Sequence, residues 1–491
     1  MPHIMFAWRW GILSYLRKRK DEKTEQTAKR QSNKRIRFLM VLLLAVLLIF
    51  TMLLVNQEKL MAFFCAAVML FLGWGNLKSS PRLGIPGILN AAVEFFGASA
   101  GIAWILFTWY SGYCILLICG MFLLAKYTLQ YMIRILRLPG QKTVIRILRT
   151  LPVLFLCVFY LMFHFSLLAT AVTPLALVGP LQTYLNNTNS FSRKYDAGEF
   201  NFLHGEKVYS NVAYGTDYPN SFMDIYLSAE ENADKPTVVF IHGGGYIGGT
   251  KTGGNPRSGS NGLLWYFTNL MQEGYNVVSI DYAYAPEYRY PIQLRQANQA
   301  LAFLMRHGSK YGLHMDRVVL IGKSAGGNIA GMLALTATQP SSARKLQIRP
   351  ALSQKNLKAV VFVSALINNE DFTITHNLIR DHVFMQYAPC AFGTNVIRKS
   401  AIAKQTNLLT HVDENYPASY ISDGNTATFY SQANALHKKL DQLGVVNELN
   451  LYPRKKERLG HGYETRPSLS CAQDNMKKTI AFLNRVVKAN S

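Results

Sequence analysis

Between Val319 and Asn328 the chain reads Val-Leu-Ile-Gly-Lys-Ser-Ala-Gly-Gly-Asn, an apolar strand-like segment turned abruptly into a helix-like one with Ser324 inside G-x-S-x-G. Few folds accept that arrangement. Glycines on both sides let a strained strand-to-helix turn close, and the turn holds a serine hydroxyl out at the tip of a buried strand. Ser324 is therefore the candidate nucleophile. Acyl transfer at such a serine needs three further parts: amide donors for an oxyanion, a base, and an acid that orients the base.

All three have candidates in the chain. Upstream, the β-branched stretch from Thr237 to Ile241 runs into His242–Gly243–Gly244–Gly245. Consecutive glycines can turn their amides inward without Cβ interference, so Gly244 and Gly245 are the expected oxyanion donors, with the amide of Ala325 as the third. Downstream, His461 sits in the glycine-flanked loop Arg458–Leu459–Gly460–His461–Gly462–Tyr463–Glu464, ahead of a predicted helix over 468–488, and is the expected base. Between the two, Tyr416–Asn425 reads as strand then turn, and Asp423 is the carboxylate in that turn. Asp423 would accept the Nδ1 hydrogen bond of His461 and stabilise the imidazolium. The same Asp-Gly pair also suits an Asx turn, which would leave the acid role vacant or Asn425 to orient the histidine weakly.

From about residue 201 to the C-terminus the chain resembles the α/β-hydrolases of the hormone-sensitive-lipase-like and acetyl-esterase type. The resemblance rests on four motifs in order: His242–Gly243–Gly244–Gly245, Asp281–Tyr282–Ala283–Tyr284–Ala285–Pro286–Glu287, Gly322–Lys323–Ser324–Ala325–Gly326–Gly327, and His461–Gly462–Tyr463. It implies a doubly wound, mostly parallel sheet and hydrolysis of carboxylic esters with small or medium acyl groups. It also implies that Asp281 and Glu287 are scaffold. Three positions depart from the pattern: Lys323 stands where the family commonly has Asp, G-x-x-D-P-L is absent, and Ala283 replaces the basic residue of D-Y-R-L. Lys323 either tunes the histidine by repulsion or points into solvent.

The N-terminal part has a different composition. Apolar stretches at 38–55, 60–75, 86–108, 110–126 and 151–177 lie near the ~17–25 residues that span a bilayer, which predicts an all-α transmembrane region of five helices, with four or six as alternatives. No signal-peptide pattern precedes them, so the chain is expected to stay anchored. Residues 1–37 hold eleven Lys or Arg against three acids, and the loop from Lys126 to Arg149 holds six basic residues and no acid. Both belong on the cytoplasmic side, which with five spans places the C-terminal domain outside the cell.

The net charge of +24 divides into +15 before residue 190 (20 basic, 5 acidic) and +9 after it (32 basic, 23 acidic). The first excess suits anionic lipid headgroups at Arg17–Lys18–Arg19–Lys20, and no nucleic-acid-binding motif accompanies either half. Of six cysteines, Cys390 and Cys471 alone lie after residue 200 and could pair in an oxidising setting. Their spacing offers no metal site, and no cofactor is expected.

The expected layout is a basic segment over 1–37, membrane helices over 38–177, a linker over 178–200 and the catalytic domain over 201–491. Its strands are predicted near 222–227, 237–242, 276–280, 317–321, 358–363, 417–422 and 446–451. Residues 364–415, with Phe372, Phe384, Met385, Tyr387 and Phe392 among polar residues, form either a cap over the site or part of the core. The expected partners are the bilayer and an ester, either an acylated envelope glycan or lipid or an exogenous one. An acyltransferase using the same acyl-enzyme and a catalytically silent module of the same fold are the alternative readings.

Overall fold

The computed structural model describes residues 173–488, apart from 203–204, 230–234, 259–260 and 395, together with the single positions Glu94, Leu151, Phe155 and Val158. The five expected membrane helices and the basic N-terminal segment thus lie outside the described residues. Among the described residues no helix is long and apolar enough to cross a membrane.

Nine strands form one sheet: β1 (Gly198–Asn201), β2 (Lys207–Ala213), β3 (Phe222–Leu227), β4 (Thr237–Ile241), β5 (Asn276–Ile280), β6 (Val318–Lys323), β7 (Leu357–Val363), β8 (Ala418–Asp423) and β9 (Asn447–Leu451). Their spatial order is β1-β2-β3-β5-β4-β6-β7-β8-β9. The first three strands and β5 pair antiparallel, whereas β5, β4, β6, β7, β8 and β9 run parallel. Helix crossovers separate the parallel strands, as parallel pairing requires.

Strands buried on both faces carry unbroken apolar runs, and here alternate residues of each run feed two cores. Val239, Ile241, Leu320 and Phe362 pack with Leu294, Ile329 and Leu436 from the helices Ile292–His307, Ala325–Thr338 and Tyr430–Gln442. Val238, Phe240, Ile321 and Val361 pack on the opposite face with Phe267 and Phe482 from Gly262–Gln272 and Ser470–Leu483. Because β5 returns on one side of β4 and β6 on the other, the strand order reverses at β4. Open sheets of this kind bind ligands at that crevice, beyond the carboxyl ends of the strands.

Two stretches differ from the sequence expectation. The segment expected to link over 178–200 instead carries the helix Leu175–Tyr184, which passes through Pro180, buries Val178 in the first core, and is followed by β1. Gln182 Nε2 donates to the carbonyls of Ile247 (2.7 Å) and Ala285 (2.9 Å), which ties the segment to the sheet's loops. Between β7 and β8 lie the helices Leu378–Phe392, Ala401–Gln405 and Leu408–His411. The aromatics of this stretch divide: Phe372 and Phe392 are buried in the first core, while Phe384 and Tyr387 are only partly buried and border a cavity.

Candidate active site

Ser324 follows β6 and precedes the helix Ala325–Thr338, with φ 52° and ψ −122°. A left-handed φ on a non-glycine residue costs about 1–3 kcal/mol and persists only when its surroundings over-determine it. They do so here. Ser324 N–H donates to Val363 O (3.0 Å), and its carbonyl accepts from Gly327 N–H (2.8 Å) and Leu366 N–H (2.9 Å). Two residues on, a Cβ at Gly326 would run into the carbonyl oxygens of Ile241 and His242, so the turn closes directly against the end of β4.

The base is in place. His461 Nε2 lies 2.9 Å from Ser324 Oγ, although 137 residues separate them. Its ring meets Phe429 edge-on at 5.4 Å and Phe384 at 6.4 Å. Burial among these rings, then the Arg380 guanidinium, then the Lys323 ammonium hold His461 well below its usual pKa of 6.5.

Asp423 ends β8 fully buried, and its Oδ1 accepts from Gly424 N–H at 2.7 Å. The turn that follows is stitched to the histidine loop, since Asn425 N–H (2.9 Å) and Thr426 N–H (3.0 Å) both donate to Leu459 O. Asp423 Oδ2 and His461 Nδ1 are each buried without a hydrogen-bond partner. The structure therefore brings Ser324 and His461 into contact and carries Asp423 to their loop, leaving the Asp423–His461 hydrogen bond unmade.

Reasoning from motifs assigned no role to Glu464. It too is fully buried, and it accepts from Ser364 N–H (3.1 Å), Ser364 Oγ (2.8 Å) and Ser422 Oγ (3.1 Å). Ser364 Oγ in turn accepts from Gly462 N–H at 2.9 Å, so Glu464 anchors the loop that carries His461. The signal was present in His-Gly-Tyr-Glu, a carboxylate three positions after the candidate base. Burial raises Glu464 to about 7. Burial, then Glu464 itself, raises Asp423 well above the usual carboxylate range.

The glycine loop lies on the nucleophile. A Cβ on Gly243 would sit 2.8 Å from Ser324 Cβ, so no larger residue fits there. Gly244 and Gly245 take φ 119° and 61°. Among the described residues the N–H groups of Gly244, Gly245 and Ala325 are spent on no hydrogen bond, and Ala325 opens a helix whose dipole favours negative charge. His242, by contrast, is buried and stacked on Tyr282 (4.1 Å between centroids), with Nδ1 2.6 Å from Gly243 O. Beside it Asp281 accepts from Lys251 N–H (2.6 Å) and Lys251 Nζ (2.9 Å), a scaffold role. Glu287 accepts from Asn189 Nδ2 at 2.6 Å, on the surface.

Lys323 does not point into solvent. Its Nζ donates to Thr465 Oγ1 at 2.7 Å, and burial lowers its pKa against the opposing pull of Glu464. Cys390 and Cys471 are both buried and free, so they do not pair. Among the described residues no group of three or more His, Cys, Asp or Glu is arranged to hold a metal ion. A cavity of about 1080 Å³ opens over Ser324 and His461, with Phe384, Tyr387, Leu181 and Ile247 among its apolar lining.

Comparison with known proteins agrees with this geometry. The BD-FAE family matches residues 223–440. Lipase 2 of Moraxella sp. is 35% identical over 117 residues, covering 24% of this chain and 25% of the lipase. Esterase LipC of Mycobacterium tuberculosis is 27% identical over 163 residues, covering 33% of this chain and 37% of the esterase. The chain thus spans only about a quarter to a third of the length of these relatives. Among solved structures, Esterase B from Lactobacillus rhamnosis superposes with a TM-score of 0.52 at 21% identity, over 65% of this chain and 96% of the esterase. The chain has the α/β-hydrolase fold.

Proposed function

We propose that the protein is a membrane-anchored serine hydrolase that cleaves carboxylic esters with small to medium acyl groups. The observation that carries this reading is the 2.9 Å approach of His461 Nε2 to a Ser324 hydroxyl held in a strained strand-to-helix turn. The similarity to lipases and esterases adds to it, and the membrane anchor and the extracellular placement of the catalytic domain rest on the apolar and basic segments of the sequence.

Ser324 Oγ adds to the ester carbonyl while its proton passes to His461 Nε2. The oxyanion is received by the amides of Gly244, Gly245 and Ala325. The carbon–oxygen bond to the alcohol then breaks, and the departing alkoxide takes the proton from His461. Water, deprotonated by His461, adds to the acyl carbon; the bond to Ser324 Oγ breaks, the serine recovers the proton from His461, and the acid is freed. Asp423 pairs with His461 Nδ1 when the ring becomes charged, through a side-chain adjustment that joins two buried, partnerless atoms. The helices between β7 and β8 act as a cap, with Tyr387 resting against Gly245.

The test is hydrolysis of p-nitrophenyl esters, acetate through decanoate, by the full-length chain beside its Ser324→Ala variant. Serine-dependent turnover with a maximum at short or medium chains is expected. Equal background rates from a folded parent and variant would discard the hydrolase reading. Serine-dependent acyl transfer to an added alcohol in place of water would replace it with a transferase.

A further inference from the structure

The cavity over Ser324 is strongly unbalanced in charge. Lys194, Lys251, Lys323 and Arg466 line it, and Asp281 is the one carboxylate among its lining residues. Asp281 is already matched by Lys251 at 2.9 Å and acts on Lys194 as well, which leaves Lys323 and Arg466 facing the cavity without an acid among its lining residues. Arg466 lies five residues after His461 and is exposed. Lys323 is held beside it through Thr465, and repulsion from Arg466 helps lower the Lys323 ammonium after burial. Arg380, in the first turn of the helix Leu378–Phe392, completes the group: burial lowers its guanidinium, Asp423 opposes that shift and Arg466 adds to it. Arg380 and Lys323 are also the two charges that act on His461.

Two cations acting on a base that must itself become positive, with Arg466 beside them, work against the reaction of a neutral ester. Each like charge disfavours the imidazolium that the transition state requires. An anion lodged among them reverses the sign. It offsets the repulsion and gains charge-assisted hydrogen bonds from guanidinium groups, whose fork suits both carboxylate and phosphate. Geometry also selects the end of the substrate that carries the anion. His461 returns its proton to the leaving oxygen, so the alcohol portion lies on the His461 side of the carbonyl, where Lys323 and Arg466 line the cavity and Arg380 acts on the ring. The acyl portion is left to the apolar part of the lining, which includes Leu181 and Ile247.

We propose that the cavity selects esters whose alcohol portion bears an anionic group, a carboxylate or a phosphate, received by Arg466 and Arg380 with Lys323 behind them. This rests on the ester-hydrolase reading above and narrows its substrate class. Arg380 and Arg466 act as specificity residues here and not as catalytic ones.

The experiment compares kcat/KM of the full-length chain on matched pairs that differ only in the anion: acetylsalicylate against its methyl ester, and dibutyryl phosphatidate against dibutyrylglycerol. The expected result is a preference of about tenfold or more for the anionic member of at least one pair, and the pair that shows it tells carboxylate from phosphate. Arg466→Gln, at an exposed position where folding is not at stake, and Arg380→Gln should each drive that ratio towards one, while Arg380→Lys retains part of it. Serine-dependent cleavage with no anionic preference in either pair, or a preference that neither arginine variant alters, overturns this proposal and leaves the hydrolase reading standing. Absence of Ser324-dependent cleavage of all four esters overturns both.

Discussion

Two pairs of buried carboxylates flank the site, and the protein treats them in opposite ways. Asp281 and Asp224 share Lys251, at 2.9 Å and 3.9 Å, and Tyr195 and Asn211 take up further oxygens of the cluster. Asp423 and Glu464 are equally buried, but the donors that reach them are hydroxyls and backbone amides, and among the described residues neither forms an ion pair. In the first pair the compensating charge is permanent. Burial pushes both up. Lys251, His242 and Lys194 still hold Asp281 below its usual range, whereas Asp224 stays raised to about 6 although Lys251 opposes the shift, so the fixed charge is centred on Asp281 at the foot of the glycine loop. In the second pair no cation touches the acids, and Arg380 and Lys323 act on Asp423 and Glu464 only from a distance. An imidazolium at His461 would supply a nearer charge during turnover, which is the difference between a fixed support and a site left ready for a transient charge.

That contrast breaks most readily at Asp423. Asp423→Asn should lower kcat by about a thousandfold to ten-thousandfold with little change in KM, as measured by steady-state kinetics, because the amide cannot balance the imidazolium. A loss of less than tenfold would refute the assignment of Asp423 as the orienting acid. On the other side, Lys251→Met should act on stability, leaving three acceptor groups around a missing cation. The expected cost is about 3–5 kcal/mol, read as a lower urea midpoint at unchanged slope. An unchanged midpoint would show that the first pair is not a fixed-charge support.

Smaller effects sharpen the comparison. Glu464→Gln keeps a partner for Ser364 and Ser422, so kcat should fall only about tenfold or less. A loss rivalling that of Asp423→Asn would exchange the roles of the two acids. The same variant has a defined pH signature. Glu464 is raised from 4.5 to about 7 in the folded protein, so its contribution is fully present below pH 4.5 and is lost as pH rises through 7. Glu464→Gln should therefore gain stability relative to the parent across that interval, as followed by urea midpoints. Smallest is a shift in activity. With its pKa held below 6.5, His461 stays unprotonated in mildly acidic solution, so the acid limb of kcat/KM for a neutral ester should fall below pH 6.5. It should move upward in Arg380→Gln, and a limb at or above 6.5 in the parent would contradict the cationic surroundings.

How much of this was legible beforehand depended on whether local pattern and local structure agreed. The strands Phe222–Leu227 and Asn276–Ile280 have the limits read from their apolar runs, and the parallel strands β4, β6, β7, β8 and β9 fall within about two residues of theirs. Ser324 and His461 were legible because glycines frame them, at Gly322 and Gly326 where a Cβ would strike backbone and at Gly462 with its φ of 74°. β1 and β2 were not, since Gly-Glu-Phe-Asn and Lys-Val-Tyr-Ser-Asn-Val-Ala mix exposed and buried positions at the edge of the sheet. The helix Leu378–Phe392 was hidden by Pro389 and by Asp381, His382 and Gln386, polar side chains that it buries. Glu464 escaped notice for a related reason: its partners, Ser364 and Ser422, lie 100 and 42 residues away and meet it only once β7 and β8 are side by side.

The helix Leu175–Tyr184 bears on how the protein can be divided. Motif boundaries invite a cut near residue 200, yet Gln182 closes two loop carbonyls, Asn187 Oδ1 accepts from Gly249 N–H at 3.2 Å, and Val178 is sealed in the core. A truncation there would reopen the floor under the glycine loop and expose apolar surface. The smallest portable unit accordingly begins before Leu175, so any replacement of the N-terminal region has to keep this helix with the α/β domain.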